Sequence, residues 1–450
     1  MFKRKIYENL KDWKNTSNGS SALLIEGARR IGKSTLVENF GKNEYKSYIL
    51  IDFSKASENT KSLFYESFER KDDLTKFFNA ISLIYQKKLY ERNSLIIFDE
   101  IQTFPRAREL IKEFVEDGRY DFIETGSLIS IKENAQDIRI PSEEEHIKMY
   151  PMDFEEFLWA INDEQTFDFI KDRYFKSKPV GESIHREIIK KFRQYMVVGG
   201  MPKVVDDFVL GKDYQTIDKE KRKILTLYNA DIDKRDKKYK TKAKQLFASL
   251  PSQLMNHTKK FILSKVDKAF RYDALRDELE FLDESMTTIF SRNIVEPRIP
   301  FSFYENYTDF KLFMGDIGLL ITKLFEDRNF IKNDLYEKII FDKLSINEGF
   351  IYENAVACLL KPNLRKINFY TFKEKNGNKE NKYEIDFIAR KDNDTIPIEV
   401  KSSNYANHKS LDKYFEKYHS KKGYVIWNKD LKREGKITYI PIYMTSLIFM

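Results

Sequence analysis

The stretch Gly27–Thr35 reads Gly-Ala-Arg-Arg-Ile-Gly-Lys-Ser-Thr and decides the fold of the N-terminal third. It fits G-x-x-x-x-G-K-[ST], the pattern of a P-loop, whose backbone N–H groups cradle phosphate groups. The apolar run Ala22–Ile25 before it predicts a buried parallel strand, and Leu36, Val37 and Phe40 after it lie at helical spacing. Strand, loop and helix follow in the order that a phosphate-binding loop requires. A chance glycine turn is therefore the weaker interpretation.

Each conspicuous position of this loop has a chemical role. The two glycines supply the backbone freedom that lets the loop approach an anion. The lysine would reach the β- and γ-phosphates of ATP as a point charge, and the serine would hold Mg²⁺ through its hydroxyl. The predicted nucleotide-binding residues are Gly27, Ala28, Arg29, Arg30, Ile31, Gly32, Lys33, Ser34 and Thr35.

A second strand pattern ends in two carboxylates. Leu95–Phe98 is apolar and is followed by Asp99 and Glu100, which together form a Walker B pattern. Ligands bind at the carboxyl ends of the strands in open α/β sheets. We therefore predict that Asp99 holds Mg²⁺ and that Glu100 orients or deprotonates the attacking water. The alternative is a buried strand that happens to end in two acids, and the P-loop upstream makes it the weaker interpretation.

A further strand, Tyr120–Thr125, ends in the polar turn Thr125-Gly126-Ser127. Thr125 and Ser127 are both candidates for the residue that contacts the γ-phosphate or the water, called sensor 1. An ordinary strand-to-loop turn explains the same residues equally well.

Apolar strands that alternate with helices predict an α/β fold, a parallel sheet covered by helices on both faces. Through Gly27–Thr35, Leu95–Glu100 and Phe122–Ser127 the chain resembles the AAA-type P-loop ATPases of the additional-strand class. No arginine finger can be named from the pattern. Arg106 and Arg108, just after the Walker B carboxylates, are equally consistent with solvated helix residues.

The composition excludes several classes of protein. The 450 residues carry 14% aromatic side chains and only 16 glycines and 11 prolines, which argues against disorder. Lys and Arg outnumber Asp and Glu by 79 to 71, and a net charge of +8 permits a nucleic-acid partner without requiring one. Cys358 is the only cysteine, so neither an intramolecular disulfide nor a cysteine-based zinc site is expected. No apolar run approaches the ~20 residues that span a bilayer, so we expect a cytoplasmic protein with no membrane partner.

The middle of the chain is predicted to be helical. Asp153 and Glu156 have the spacing of a helix cap with its reciprocal glutamate, and Gly199–Pro202 reads as a turn followed by a new helix. We predict a helical lid at 150–240 and a winged-helix-like domain at 241–335. The lysines of the latter could face DNA phosphates, although winged helices also serve as packing modules. Those lysines are Lys259, Lys260, Lys265 and Lys268.

The C-terminal segment 336–450 predicts a second site. Its elements follow an α-β-β-β-α-β order, and the hairpin of the second and third strands brings Asp386, Glu399 and Lys401 together. The two carboxylates could bind Mg²⁺ or Mn²⁺, Glu353 from the helix could complete the metal set, and the lysine could stabilise charge on an attacking water or phosphate. Asp386 and the Glu-Val-Lys motif ending at Lys401 resemble the PD-(D/E)XK nuclease fold. A solvated acidic and basic hairpin face, or a nuclease-like fold kept only for binding, are the alternatives.

Over nearly its whole length the chain resembles a broad prokaryotic family that joins an AAA-type ATPase domain, here 1–149, to a C-terminal domain of unknown function with a nuclease-like core. The resemblance includes Gly199–Pro202, Phe310–Leu320 and Glu384–Ser403. Members often show a Gly-Arg pair ahead of a Tyr-Pro segment, whereas this chain has Ser142–His146 there. The resemblance implies an ATPase, with ATP as ligand, and leaves the nuclease open. DNA or RNA is a candidate partner of the C-terminal domain. A homo-oligomer is a further expectation, because ATPases of this type often complete their site with an arginine of a neighbouring subunit.

Two functions follow from these patterns. The leading hypothesis is an ATP-hydrolysing protein whose cycle moves or gates a nucleic-acid-directed C-terminal domain. The alternative is a nucleotide-dependent regulatory or scaffold switch whose C-terminal domain is a catalytically inert docking module. Intact Asp386, Glu399 and Lys401 favour the first, and the modest net charge does not strengthen it.

Overall fold

The computed structural model describes residues 1–69, 74–127, 141–235, 242–256, 260–326, 333–340, 349–376, 379–391, 393–402, 408–418 and 420–450. These residues form two compact units. The first contains residues 1–150 with 284–286, and the second contains 151–283 with 287–450. The predicted divisions after residues 240 and 335 both fall within the second unit.

The first unit is built on a five-stranded sheet in which every neighbouring pair is parallel. Its strands are β1 (Ala22–Gly27), β2 (Ser47–Asp52), β3 (Ser94–Asp99), β4 (Asp121–Gly126) and β5 (Glu144–Met149). The order is β2-β3-β4-β1-β5, so β4 lies between the P-loop strand and the Walker B strand. This inserted strand confirms the predicted P-loop α/β fold. The central strands β1, β3 and β4 are buried along their whole length. The apolar runs of β1 and β3 predict this burial, whereas β4 also buries the charged residues Asp121 and Glu124.

Six helices accompany this sheet in the described part of the unit. They are α1 (Ile6–Ser17), α2 (Lys33–Glu44), α3 (Glu58–Glu69), α4 (Thr75–Ile84), α5 (Arg106–Glu109) and α6 (Ile111–Asp117). Phenylalanine rings dominate the core on one face, and Phe114 stacks on Phe122 with centroids 5.0 Å apart. Helix α4 ends at Ile84, because Gln86 takes a left-handed φ of 52° and exposed polar residues follow.

The described residues between 151 and 284 are mainly helical. Their α-helices are α7 (Phe154–Ala160), α8 (Glu164–Phe175), α9 (Glu182–Val198), α10 (Pro202–Val209), α11 (Tyr214–Arg235), α12 (Lys242–Leu254), α13 (Leu263–Val266) and α14 (Arg276–Glu284). Asp153 and Glu156 form the predicted capping box, and Pro202 occupies the first turn of α10 as predicted. Gly200 packs so closely that a Cβ there would overlap the carbonyl oxygen of Met152, which accounts for the glycine turn.

A mixed eight-stranded sheet organises the rest of the second unit, in the order β12-β13-β11-β10-β9-β8-β6-β7. Its strands are β6 (Thr288–Ile294), β7 (Glu305–Met314), β8 (Ile367–Asn376), β9 (Lys379–Lys391), β10 (Asp394–Val400), β11 (Gly423–Trp427), β12 (Lys432–Glu434) and β13 (Ile437–Pro441). The helices are α15 (Ile317–Leu324), α16 (Asn333–Ile340), α17 (Gly349–Leu360) and α18 (Lys409–Tyr418). The predicted α-β-β-β-α-β order is confirmed.

The winged helix predicted for 241–335 is not confirmed. Strands β6 and β7 pair with each other, and β6 also pairs in parallel with β8, so both belong to the large C-terminal sheet.

Two motifs of the family resemblance meet in this unit, since Asp316 accepts a hydrogen bond from the Gly200 N–H at 2.6 Å and Gly318 lies against Gly199. No helix of the described residues is long and apolar enough to cross a bilayer.

Candidate functional sites

The P-loop forms the turn between β1 and α2. Gly27 ends β1, and Gly32 precedes α2 with a left-handed φ of 92°, a conformation that glycine adopts without steric cost. Ala28 and Ile31 are buried, Arg29 and Ser34 are half-buried, and Arg30 and Thr35 are exposed. The loop is thus anchored by its apolar members and presents polar side chains outward.

The lysine of the loop is bound to the loop itself. The Lys33 ammonium is buried and donates to the carbonyl oxygens of Gly27 at 2.9 Å and Ala28 at 3.0 Å. Burial lowers the pKa of Lys33 to about 8, although the charges of Glu100 and Asp99 act in the opposite direction. In these two hydrogen bonds the acceptors are neutral carbonyl oxygens. The Lys33 ammonium is therefore suited to exchange them for the negatively charged oxygens of a phosphate.

The predicted magnesium residues lie together at the carboxyl ends of the strands. Asp99 is buried at the end of β3, and its Oδ1 accepts hydrogen bonds from the Ser34 hydroxyl at 2.9 Å and from the Thr125 hydroxyl. Three oxygens from β3, β4 and α2 therefore converge, and this hard-oxygen set suits Mg²⁺. Of the two sensor candidates, Thr125 is the one that joins this set, whereas Ser127 lies half-buried beyond the end of β4.

Glu100 lies directly beyond β3 in a left-handed conformation, with φ 54°. This conformation is uncommon for a glutamate and turns the chain sharply at the end of the strand. Its carboxylate accepts a hydrogen bond from the side-chain amide of Gln102, which holds it at the strand end. Sequence patterns did not single out Gln102, which has no motif position.

Two arginines that the pattern did not assign support this site. Arg4 is buried and donates to the carbonyl oxygens of Ile31 at 3.1 Å and Tyr150 at 2.6 Å, so it ties the N-terminus to the P-loop. Arg108 is not a solvated helix residue. It is 3% exposed and makes a bidentate ion pair with Glu144 of β5, at 2.8 Å and 2.6 Å.

The C-terminal hairpin brings its predicted residues together. β9 and β10 are antiparallel, and Ile398 pairs with Phe387, which places Asp386 and Glu399 at the same end of the hairpin. Asp386 Oδ2 accepts from the Val400 N–H at 2.8 Å, and Lys401 Nζ lies 3.3 Å from Glu399 Oε2. Burial raises the pKa of Glu399 to about 7, against the lowering effect of Lys401, so this carboxyl group titrates near neutrality.

The structure does not show the predicted metal set of Glu353, Asp386 and Glu399. Among the residues that the structure describes, no three histidine, cysteine, aspartate or glutamate side chains converge in a way that could hold a metal ion. Glu353 instead binds Lys311 of β7, whose Nζ lies 2.7 Å from Glu353 Oε1 and 2.7 Å from Glu384 Oε1. The same ammonium lies 3.9 Å from Asp386 Oδ1. We call Glu353, Glu384 and Asp386 the carboxylate cluster.

Comparison with known proteins assigns the first of these sites to a class. A family model described as an AAA domain matches residues 19–158, which include the P-loop, both Walker B carboxylates and Thr125. The N-terminal unit is therefore an AAA-type P-loop ATPase domain. Two further family models match residues 189–328 and 348–445, and both are described as domains of unknown function, DUF8612 and DUF4143.

Individual proteins resemble parts of the chain. An uncharacterised protein of Haemophilus influenzae is 29% identical over 184 residues, which cover 40% of this chain and 40% of that protein. Aeropyrum pernix ORC1, solved in complex with DNA, is 10% identical with a TM-score of 0.26, covering 72% of this chain and 92% of its own. PCH-2 of C. elegans is 13% identical with a TM-score of 0.25, covering 45% of this chain and 59% of its own.

Proposed function

We propose that the N-terminal unit binds ATP with Mg²⁺ and hydrolyses it. The observation that carries the proposal is the convergence of the Ser34 and Thr125 hydroxyls on the Asp99 carboxylate, at the strand ends beside the P-loop. Ser34 and Asp99 would hold the Mg²⁺, which supplies charge neutralisation at the phosphates. Lys33 would bind the β- and γ-phosphates.

The residues of this chain would then prepare the attack of water. Glu100 would accept the proton of the attacking water, and Gln102 would keep its carboxylate in place. Thr125 would fix the orientation of Asp99 from the neighbouring strand. Positioning and electrostatic stabilisation contribute most to phosphoryl transfer, and these residues supply both.

Lys33→Ala is expected to abolish ATP binding, because it removes the cation that contacts the phosphates. Isothermal titration with ATP and Mg²⁺ measures the loss, and Lys42→Ala on the exposed face of α2 serves as the matched control. The pKa of about 8 adds a second readout. The protonated lysine is the binding form, so affinity should be highest below pH 8 and fall as the pH rises through this value, with proton uptake on binding near pH 8.

Unchanged ATP affinity in Lys33→Ala would contradict the assignment of the loop. If the ATP affinity of the wild type does not change between pH 7 and 9, only the role assigned to the Lys33 ammonium is contradicted.

For the C-terminal domain, we propose a docking role without cleavage. Its hairpin has the Asp386, Glu399 and Lys401 of a nuclease-like motif, but Glu353 is bound to Lys311 and so is not available as a metal ligand. This contact favours the switch hypothesis over metal-dependent cleavage. ATP bound at the N-terminal unit would set the state of the protein, and the C-terminal domain would bind the partner, with DNA or RNA as the candidates.

No cleavage is expected when the protein is incubated with DNA or RNA, with and without ATP and Mn²⁺. Gel analysis of end-labelled single and double strands measures it, and Lys401→Ala is the matched control for contaminating nucleases. Cleavage by the wild type that is lost in Lys401→Ala would establish the nuclease and overturn the docking role. Equal cleavage by both proteins would come from a contaminant.

A further inference from the structure

A lysine lies at the centre of the C-terminal carboxylate cluster. We infer that Lys311 is the resident cation of this cluster, that it replaces a divalent metal there, and that its removal uncovers a site for Mn²⁺ or Mg²⁺. The inference rests on the proposed docking role of the C-terminal domain and gives its physical reason. It assigns a role to Lys311 and Glu384, neither of which belongs to the nuclease-like motif.

The geometry places the Lys311 ammonium between the carboxylates of the cluster. Its Nζ donates a charge-assisted hydrogen bond to an oxygen of Glu353 at 2.7 Å and forms an ion pair with an oxygen of Glu384, also at 2.7 Å. Mg²⁺ takes oxygen ligands at about 2.0–2.1 Å. An ion bound to the same Glu353 oxygen would lie a few ångströms from the ammonium and would be repelled by it.

Burial makes this arrangement strong. The side chains of Lys311 and Glu353 are both 0% exposed, and the ring of Phe369 lies 5.0 Å from the ammonium. Burial alone would lower the pKa of Lys311, but Glu353, Glu384 and Asp386 outweigh it and hold the pKa above its ordinary value. The contacts with Glu353 and Glu384 therefore favour the charged form of the lysine.

The cluster joins three elements that are distant in sequence. Lys311 comes from the edge strand β7, Glu353 from α17, and Glu384 and Asp386 from β9. A cation that bridges these elements has the structural role that metal ions have in other proteins, where carboxylates from separate elements share one charge.

Titration with Mn²⁺, followed by electron paramagnetic resonance, tests the inference in the full chain. The background variant Asp99→Asn, studied without nucleotide, removes the predicted magnesium ligand of the P-loop site. In this background, adding Glu353→Gln should leave any Mn²⁺ binding unchanged. Adding Lys311→Met should create one Mn²⁺ site per chain, and adding Glu353→Gln to that protein should remove it.

Lys323→Met is the matched control, since Lys323 is also a buried lysine of the second unit and is paired with Glu326 at 2.9 Å. It should gain no Mn²⁺ site. Lys311→Met should also melt at a lower temperature than its parent and regain several degrees with Mn²⁺, whereas Lys311→Met/Glu353→Gln should show no response to the metal. Circular dichroism verifies that each variant is folded.

Two results would overturn the inference. One is Mn²⁺ binding by the Asp99→Asn protein that Glu353→Gln abolishes, and the other is a folded Lys311→Met protein that binds no Mn²⁺. If Lys311→Met does not fold even with Mn²⁺, the comparison of Asp99→Asn with Asp99→Asn/Glu353→Gln decides alone. The docking role can be judged separately. Mn²⁺ binding that Glu353→Gln abolishes, without cleavage of nucleic acid, would contradict only the inference about Lys311. Cleavage that is lost in Lys401→Ala would contradict both this inference and the docking role.

Discussion

Glu100→Gln is expected to lower the rate of ATP hydrolysis by about 10²–10⁴-fold, the usual contribution of a general base. The amide keeps the size of the side chain and its place beside Gln102, but it cannot accept the proton of the attacking water. Lys33, Ser34 and Asp99 are unchanged in this variant, so ATP should still bind and remain trapped. Phosphate release measures the rate, and retention of radiolabelled ATP after gel filtration measures the trapping.

Glu116→Gln is the control for this experiment, because Glu116 is an exposed carboxylate of the same unit, 63% accessible and 3.7 Å from Lys112. It should hydrolyse ATP at the wild-type rate. Hydrolysis at the wild-type rate by Glu100→Gln itself would show that another group accepts the proton, and would leave Asp99 and Lys33 as binding residues only. Loss of ATP binding in Glu100→Gln would instead indicate that Glu100 supports the loop.

Sequence pattern was sufficient wherever the decisive contacts are local. The P-loop, its strand and its helix occupy consecutive residues, and the apolar run before Asp99 predicts both the burial of β3 and the position of the carboxylate. The hairpin of β9 and β10 also follows from local alternation, since a short turn fixes which residues face each other. These are the parts of both candidate sites that could be predicted.

The parts that could not be predicted depend on contacts across the sheets. Lys311 and Glu353 are 42 residues apart in sequence and meet because β7 joins the sheet beside β6. No turn or motif in the sequence predicts this strand pairing. A lone lysine within the apolar run Phe310–Met314 was the available signal, because a charge in such a run needs a buried partner. Sequence alone could not name that partner.

Arg108 shows the same limitation inside the ATPase unit. Its spacing on α5 fits a solvated position, yet it is buried against β5, because Glu144 is brought to the edge of the sheet by its pairing with Ala22 of β1. Glu124 of β4 is also fully buried close to this pair. Burial and the charge of Glu144 raise the pKa of Glu124 well above its ordinary value.

Arg108→Met is therefore expected to lower the free energy of unfolding of the N-terminal unit by about 3–5 kcal/mol, the usual cost of removing one partner of a buried ion pair. The methionine fills the volume but leaves the Glu144 carboxylate buried without its arginine. Of the three hydrogen-bonding side chains that lower the pKa of Glu144, only His146 and Glu124 remain. Urea unfolding followed by fluorescence measures the change. The matched control is Arg106→Met on the same helix, since Arg106 is exposed and lies 5.7 Å from the Tyr65 ring, so a loss of no more than about 1 kcal/mol is expected.

The dependence of the free energy of unfolding on acidic pH gives an independent measure of the Arg108–Glu144 ion pair. Burial would raise the pKa of Glu144, but hydrogen bonds from Arg108 and His146 outweigh it and lower the pKa to about 2. The pair therefore stabilises the wild type fully above the ordinary glutamate pKa, and this stability is lost as the pH falls towards 2. Arg108→Met should lack most of this pH dependence, and Arg108→Met/Glu144→Gln should recover part of the lost stability, because no unpaired charge is left behind. A loss in Arg108→Met no larger than in Arg106→Met would mean that Glu144 finds water or another partner, and that β5 is held to α5 by apolar contacts alone.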